Sequence, residues 1–122
     1  MDNLHAHWRM EYVSVPKEER EQTNPFVSIP HLGDDRKALL VHRSSHVYVA
    51  LNKFPYNAGH LLVIPYREVA RLIDLNEAER FDFMEMIIFS QELLERALKP
   101  DGFNVGMNIG SAAGAGIPEH LH

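Results

Sequence analysis

Two imidazoles stand at alternate positions near the end of this sequence, His120 and His122, and Gly110 to Gly116 just before them is Gly or Ala everywhere except Ser111. If His120 to His122 is extended, both rings leave one face of a strand and Leu121 turns to the other. A loop without bulky side chains lets backbone amides approach a ligand closely, and amides pointing into a concavity form a site for a small anion. Three chemistries fit. The pair can be a structural strand end. It can share a metal with His60 or Glu119, since no cysteine exists to complete a zinc site. It can also supply a nucleophile, one imidazole attacking phosphorus while an acceptor on its far nitrogen fixes the tautomer. The small-residue loop favours the third, because its amides would lie beside the charge that develops on phosphate oxygens. It is neither a P-loop, lacking Gly-Lys-Ser/Thr, nor a dinucleotide fingerprint.

Other polar residues flank loops, where scaffolds present functional groups: Asn52 and His60 on either side of Phe54–Gly59, and Asn108 ahead of the Gly/Ala loop. His5, His7, His31, His42 and His46 read as solvated or capped side chains.

The elements that must position these groups follow from periodicity. Residues 38–42, 46–52 and 60–65 read as three strands, the first two joined by the short turn Arg43-Ser44-Ser45. Tyr66 to Leu75 suggests a short helical turn. Asn76 with Glu79 three residues on resembles a capping box. Phe81, Met84, Ile87, Ile88, Leu94 and Leu98 then form an apolar stripe through to Lys99, where Pro100-Asp101-Gly102 stops the helix. Met84 and Met86 read as packing residues. Residues 103–109 alternate as a fourth strand, and Glu119–His122 begins a fifth. The prolines in Asn24-Pro25-Phe26 and Ile29-Pro30 suggest irregular chain. Trp8, Met10, Tyr12 and Val13 suggest an apolar arm, followed by a charged stretch at 16–21. The expectation is one α+β domain over 1–122: an N-terminal strap at 1–35, then an antiparallel sheet of about five strands with one long and one short helix at 36–122, its last strand cut off at the C-terminus.

Composition sets limits. The 122 residues suit one domain, and the apolar (45%) and charged (24%) fractions are those of an ordinary globular protein. A net charge of −5 without any basic run argues against wrapping nucleic acid. Zero cysteines exclude disulfides and thiolate chemistry. Met1–Met10 shows neither a secretory signal nor a membrane span, so the cytoplasm is the expected compartment.

The chain resembles the histidine triad (HIT) family of nucleotidyl hydrolases and transferases, and within it the bacterial branch containing diadenosine tetraphosphate phosphorylases. The matching stretches are Trp8-Arg9-Met10-Glu11-Tyr12, Leu51-Asn52, Pro55-Tyr56-Asn57-Ala58-Gly59-His60-Leu61, Val63-Ile64-Pro65-Tyr66-Arg67, Gly102–Asn108 and Glu119-His120-Leu121-His122. The resemblance implies that His122 takes the α-phosphate of a nucleotide as a nucleotidyl-histidine. It implies that the His120 backbone carbonyl holds the nucleophile's far nitrogen, that His60 supports the phosphates, that Asn52 contacts the sugar, and that Asn108 lies near the phosphates. Gly110, Ser111, Gly114 and Gly116 would line the phosphate loop. Gly116 stands where many relatives carry Ser or Gln. Asn24-Pro25-Phe26-Val27 stands where zinc-binding relatives have Cys-x-x-Cys, so no structural zinc is expected. The family's third histidine would fall two positions beyond His122.

The implied substrate is a dinucleoside polyphosphate, with inorganic phosphate as co-substrate in a phosphorylase. No cofactor is required by the sequence, though a divalent metal such as Mg could accompany the substrate, and a homodimer is implied. The alternatives are a nucleoside phosphoramidate or mononucleotide hydrolase of the same family, and a non-catalytic nucleotide-binding module.

Overall fold

A computed structural model describes residues 24–52 and 59–122. The proposed apolar arm, the charged stretch at 16–21 and most of the Phe54–Gly59 loop lie outside the described residues.

Three short strands form an antiparallel sheet in the order β1 (Leu40–Arg43), β2 (Val47–Leu51), β3 (Leu61–Pro65). The central strand is β2, and Val47, Tyr48, Val49 and Ala50 are buried on both faces of the sheet. The β2–β3 register is unbroken from Val47 opposite Pro65 to Leu51 opposite Leu61, whereas β1 bulges between Leu40 and His42.

Each face carries its own core. On one, Tyr48, Ala50, Ile64 and Leu40 pack with Phe26 and Ile117. On the other, Val47 packs with Val69, Leu75, Leu121 and Phe83 of the long helix. That helix, α2 (Glu77–Leu98), has the expected capping box: the Asn76 side chain accepts from the Glu79 amide, and Glu79 accepts from the Asn76 amide. Lys99 in the left-handed region closes it. Asp82 joins helix to sheet, accepting from the Ser44 hydroxyl (2.6 Å) and from the amides of His46 (2.7 Å) and Val47 (3.2 Å) at the β1–β2 turn.

The helix is rotated relative to the expected stripe. Phe83 and Ser90 are buried and Met86 and Ile87 half-buried against the sheet, while Phe81 is 71% exposed and Met84, Ile88 and Leu98 are also exposed. The polar tie from Asp82 to the hairpin turn sets the rotation, which a hydrophobic count does not register.

Three further expectations are corrected. Pro25 does not leave the chain irregular. It occupies the first turn of a short helix, α1 (Pro25–Ser28), whose N-cap Asn24 has the extended ψ that a following proline favours. A 3-10 turn (Ile29–His31) continues it. The helical turn expected at 66–75 shrinks to the 3-10 turn Leu72–Asp74. Among the described residues the sheet has three strands rather than about five. Residues 102–109 and 119–122 are in no ladder among the described residues, because alternation specifies faces and a strand also needs a partner edge.

Candidate active site

Helix α1 and the chain around His120 meet over the end of β3. Asn24 is the joint, and its orientation follows from its bonds: Oδ1 accepts the Phe26 amide (3.0 Å), so Nδ2–H is the end that faces His120 Nδ1 (3.1 Å). His120 Nε2–H then donates to the Pro65 carbonyl (2.8 Å). The ring is 1% exposed and held at both nitrogens as the neutral Nε2–H tautomer. Burial, the largest influence, pushes its pKa below the ordinary histidine value, against the Pro65 hydrogen bond and the Glu119 charge.

His122 is oriented by the same segment. The Leu121 amide donates to the Val69 carbonyl (2.8 Å), and because a trans peptide points its N–H and C=O in opposite directions, the His120 carbonyl is aimed away from Val69. It accepts His122 Nδ1–H at 2.9 Å. The proton on Nδ1 leaves the lone pair of His122 on Nε2. Both rings lie against Phe26, with centroids 5.5 Å away for His120 and 4.6 Å for His122, while Leu121 enters the core facing α2. The two histidines thus share a face as expected, although no strand carries them.

Phe26 is itself clamped, since its carbonyl accepts the hydroxyl of fully buried Tyr48 (2.7 Å). Removal from water pushes the Tyr48 pKa up, so the phenol stays a donor. Farther along, Arg43 donates to the Pro30 carbonyl (2.6 Å) and makes a two-point pair with Asp35, holding its carboxyl below the ordinary range.

A second polar cluster lies at the opposite end of β3. Asn52 donates its amide to the His60 carbonyl (3.0 Å) and Nδ2–H to His60 Nδ1 (3.1 Å). His60 precedes the strand that Pro65 ends, so roughly 16 Å of strand separates it from the His120 clamp. The structure therefore joins Asn52 to His60 and His120 to His122, but not His60 to His120.

The Gly/Ala loop folds on itself. Ser111–Ala113 is a 3-10 turn between Gly110 and Gly114, both at positive φ. The amides of Ala113 and Ala115 donate to the Gly110 carbonyl and that of Gly114 to Ser111. Asn108 lies over the turn, its Nδ2 3.7 Å from where a Gly114 Cβ would sit. Ser111 is exposed and Gly116 half-buried between buried Ala115 and Ile117.

A metal shared by the two histidines is incompatible with this geometry, because His120 has no lone pair left to donate. Among the described residues no three His, Asp or Glu side chains converge on a metal position, and no helix is long and apolar enough to cross a membrane. Asn24 and Phe26 escaped sequence reasoning. The Asn-Pro pair is a helix-start signal, but nothing local ties it to a histidine 96 positions away.

The AP-4-A phosphorylase of Mycobacterium tuberculosis H37Rv is 38% identical over 128 residues, which takes in the whole of this chain and 65% of the relative, so the chain spans just under two thirds of that protein. The asymmetrical bis(5'-nucleosyl)-tetraphosphatase of Schizosaccharomyces pombe is 36% identical over 72 residues, 59% of this chain and 39% of the relative. Among solved structures, a hypothetical histidine triad nucleotide-binding protein from Sulfolobus tokodaii superposes with a TM-score of 0.66 at 27% identity, over 80% of this chain and 65% of that one. The HIT domain model matches residues 34–122, and the chain belongs to the HIT family.

Proposed function

We propose that the protein is a nucleotidyl transferase that cleaves dinucleoside polyphosphates, diadenosine tetraphosphate above all, with inorganic phosphate as acceptor. The observation that carries the reading is the 2.9 Å bond from His122 Nδ1–H to the His120 carbonyl, which puts the nucleophilic lone pair on Nε2. Nε2 attacks the α-phosphorus, a P–N bond forms, and the P–O bond to the leaving nucleotide breaks, releasing ATP. Positive charge that develops on the imidazole is stabilised by the carbonyl at Nδ1. A phosphate oxygen then attacks the same phosphorus, the P–N bond breaks, and ADP leaves. His60, with its proton on Nε2, suits a phosphate oxygen. Asn52 would set that tautomer in addition to contacting the sugar, and Asn108, Ser111 and the glycines at 110, 114 and 116 would border the phosphates.

The mycobacterial relative supports phosphate as acceptor, and the fission-yeast relative supports the second reading, transfer to water. A divalent ion such as Mg would arrive with the substrate's phosphates. The exposed face of Phe81, Met84 and Ile88 is where a second copy would pack to form a homodimer. A monomer in sizing experiments at micromolar concentration would count against that. The cytoplasm is the proposed compartment.

The deciding experiment is product analysis of diadenosine tetraphosphate turnover with and without inorganic phosphate. ADP plus ATP, formed only with phosphate, is the expected result. AMP plus ATP in both conditions would make the protein a hydrolase, and no turnover of any dinucleoside polyphosphate would sink the reading.

A further inference from the structure

We infer that Asn24 is a positioning residue for the reaction: it locks His120 as a neutral Nε2–H imidazole and, through that ring, holds the carbonyl that orients His122. The inference rests on the function proposed above and assigns to α1 a part in the chemistry that the histidine motif alone does not contain.

The polarity of the chain of hydrogen bonds is fixed from both ends. A backbone amide can only donate, so Phe26 N–H makes Asn24 present Oδ1 to it and Nδ2–H to His120. A backbone carbonyl can only accept, so Pro65 requires Nε2–H. With a donor facing Nδ1 and an acceptor facing Nε2, one protonation state satisfies both. An imidazolium at His120 would set Nδ1–H against Nδ2–H, and flipping the amide would set Nδ2–H against the Phe26 amide. Either arrangement leaves buried donors opposed, which the site cannot relieve with water because Asn24 and His120 are 3% and 1% exposed.

Two consequences bear on His122. First, a ring pinned at both nitrogens holds its own backbone, and the 120–121 peptide is the one whose carbonyl meets His122 Nδ1. Second, keeping His120 neutral spares the reaction a fixed cation beside a nucleophile that must itself become positive on attacking phosphorus. The charged neighbour acting on the ring is Glu119, which favours protonation. α1 contributes Asn24 and Phe26 and β3 the Pro65 carbonyl, none of which titrates.

Asn24→Asp separates this role from capping. Aspartate caps a helix as well as asparagine and has nearly the same shape, so α1 keeps its acceptor for the Phe26 amide. It replaces the donor facing Nδ1 with an acceptor, and His120 then gains a second proton. Long-range proton–nitrogen NMR of the imidazoles is expected to show one protonated nitrogen on His120 in the wild type and two in N24D at neutral pH. The kcat of N24D is expected to fall by about 10-fold or more with KM nearly unchanged, as for other residues that orient a reacting ligand from behind. Asn24→Ser keeps a cap and a hydroxyl donor, and is expected to show the wild-type tautomer.

A His120 that is protonated at Nδ1 in the wild type, or an N24D protein with wild-type tautomer and kcat, would overturn the inference. The NMR result does not depend on turnover. If the wild type proves inactive on dinucleoside polyphosphates while the tautomers behave as stated, it is the proposed function that fails.

Discussion

The two ends of β3 carry the same kinds of side chain in opposite circumstances. At the Pro65 end, Asn24 and His120 are buried, and both nitrogens of the imidazole have partners on α1 or β3. At the other end, Asn52 and His60 are half-buried and joined to each other across the opening of the β2–β3 pair. An Asn–His contact of 3.1 Å occurs in both. What differs is the depth of the clamp: one pair is buried, the other half-buried. On the proposed function the buried end orients a nucleophile, whose geometry must be kept to about 0.5 Å, so its support belongs in the core. A group that receives a substrate must be reachable, so its support belongs at the rim.

The sharpest way to break this comparison is to remove His122, the nucleophile of the proposed function. His122→Ala is expected to abolish the covalent nucleotidyl adduct and to lower turnover by about 1,000-fold or more, the scale seen when an enzyme's nucleophile is deleted. Intact-mass analysis after mixing with substrate checks it. An adduct that survives at full yield would assign the nucleophile elsewhere. The next largest effect is on the wall shared by both rings. Phe26→Ala is expected to cost about 3–5 kcal/mol of stability, because a 1% exposed aromatic leaves a cavity between Tyr48, Ile64 and Ile117. Denaturant unfolding followed by circular dichroism measures it, and a cost below about 1 kcal/mol would show that the α1 layer is not part of the core.

What could be read from the sequence divides along the same line. The capping box at Asn76 and Glu79 and the three strands depend on neighbours in the chain, and they lie where their residue patterns indicate. The polarity of Asn24 depends on Phe26, His120 and Pro65 together, and no spacing records that meeting. The exposure of Phe81, Met84 and Ile88 escaped for a related reason: the rotation of α2 is set by Asp82 against the Ser44 turn, a polar contact across 38 residues. His120 and His122 were legible as a pair on one face, yet the strand expected to hold them is replaced by two backbone bonds, to Ile117 and Val69.

A third test probes whether the two ends answer to separate supports. Glu79 is 3% exposed, accepts from Arg67 at 2.7 and 2.8 Å and from the Asn76 amide, and so ties the chain after β3 to the start of α2. The Arg67 hydrogen bonds lower its pKa from 4.5 to about 2 against the opposing effect of burial. A carboxyl with a depressed folded pKa contributes stability that is fully present above the unfolded value and lost as pH falls through the folded one. Glu79→Gln is therefore expected to cost about 1–3 kcal/mol at neutral pH. Its deficit relative to the wild type should shrink as the pH is lowered from about 4.5 toward 2. An undiminished deficit at low pH would mean that packing rather than charge is responsible. Because Arg67 follows Pro65 by two residues, a fall in kcat of the folded variant would report strain passed to the Pro65 carbonyl that holds His120, whereas an unchanged kcat would show that the clamp is supported independently of Glu79.

The smallest effect is expected at the rim, and it is the most informative about what the rim is for. Asn52 donates to His60 Nδ1 and thereby keeps the N–H proton of that neutral ring on Nε2, the atom that the proposed function offers to a phosphate oxygen. Asn52→Ala removes the side-chain hydrogen bond to His60 at a half-buried site, a bond worth about 0.5–1.5 kcal/mol, or roughly 2- to 10-fold in an equilibrium. If the rim receives substrate and the buried end performs the transfer, that loss falls on KM, with kcat and the yield of His122 adduct at saturating substrate unchanged. The contrast with N24D, where kcat falls and KM holds, is then complete. A fall in kcat for Asn52→Ala equal to that of N24D would instead mean that His60 acts on the transition state, and the division between a buried chemical end and a receiving rim would have to be given up.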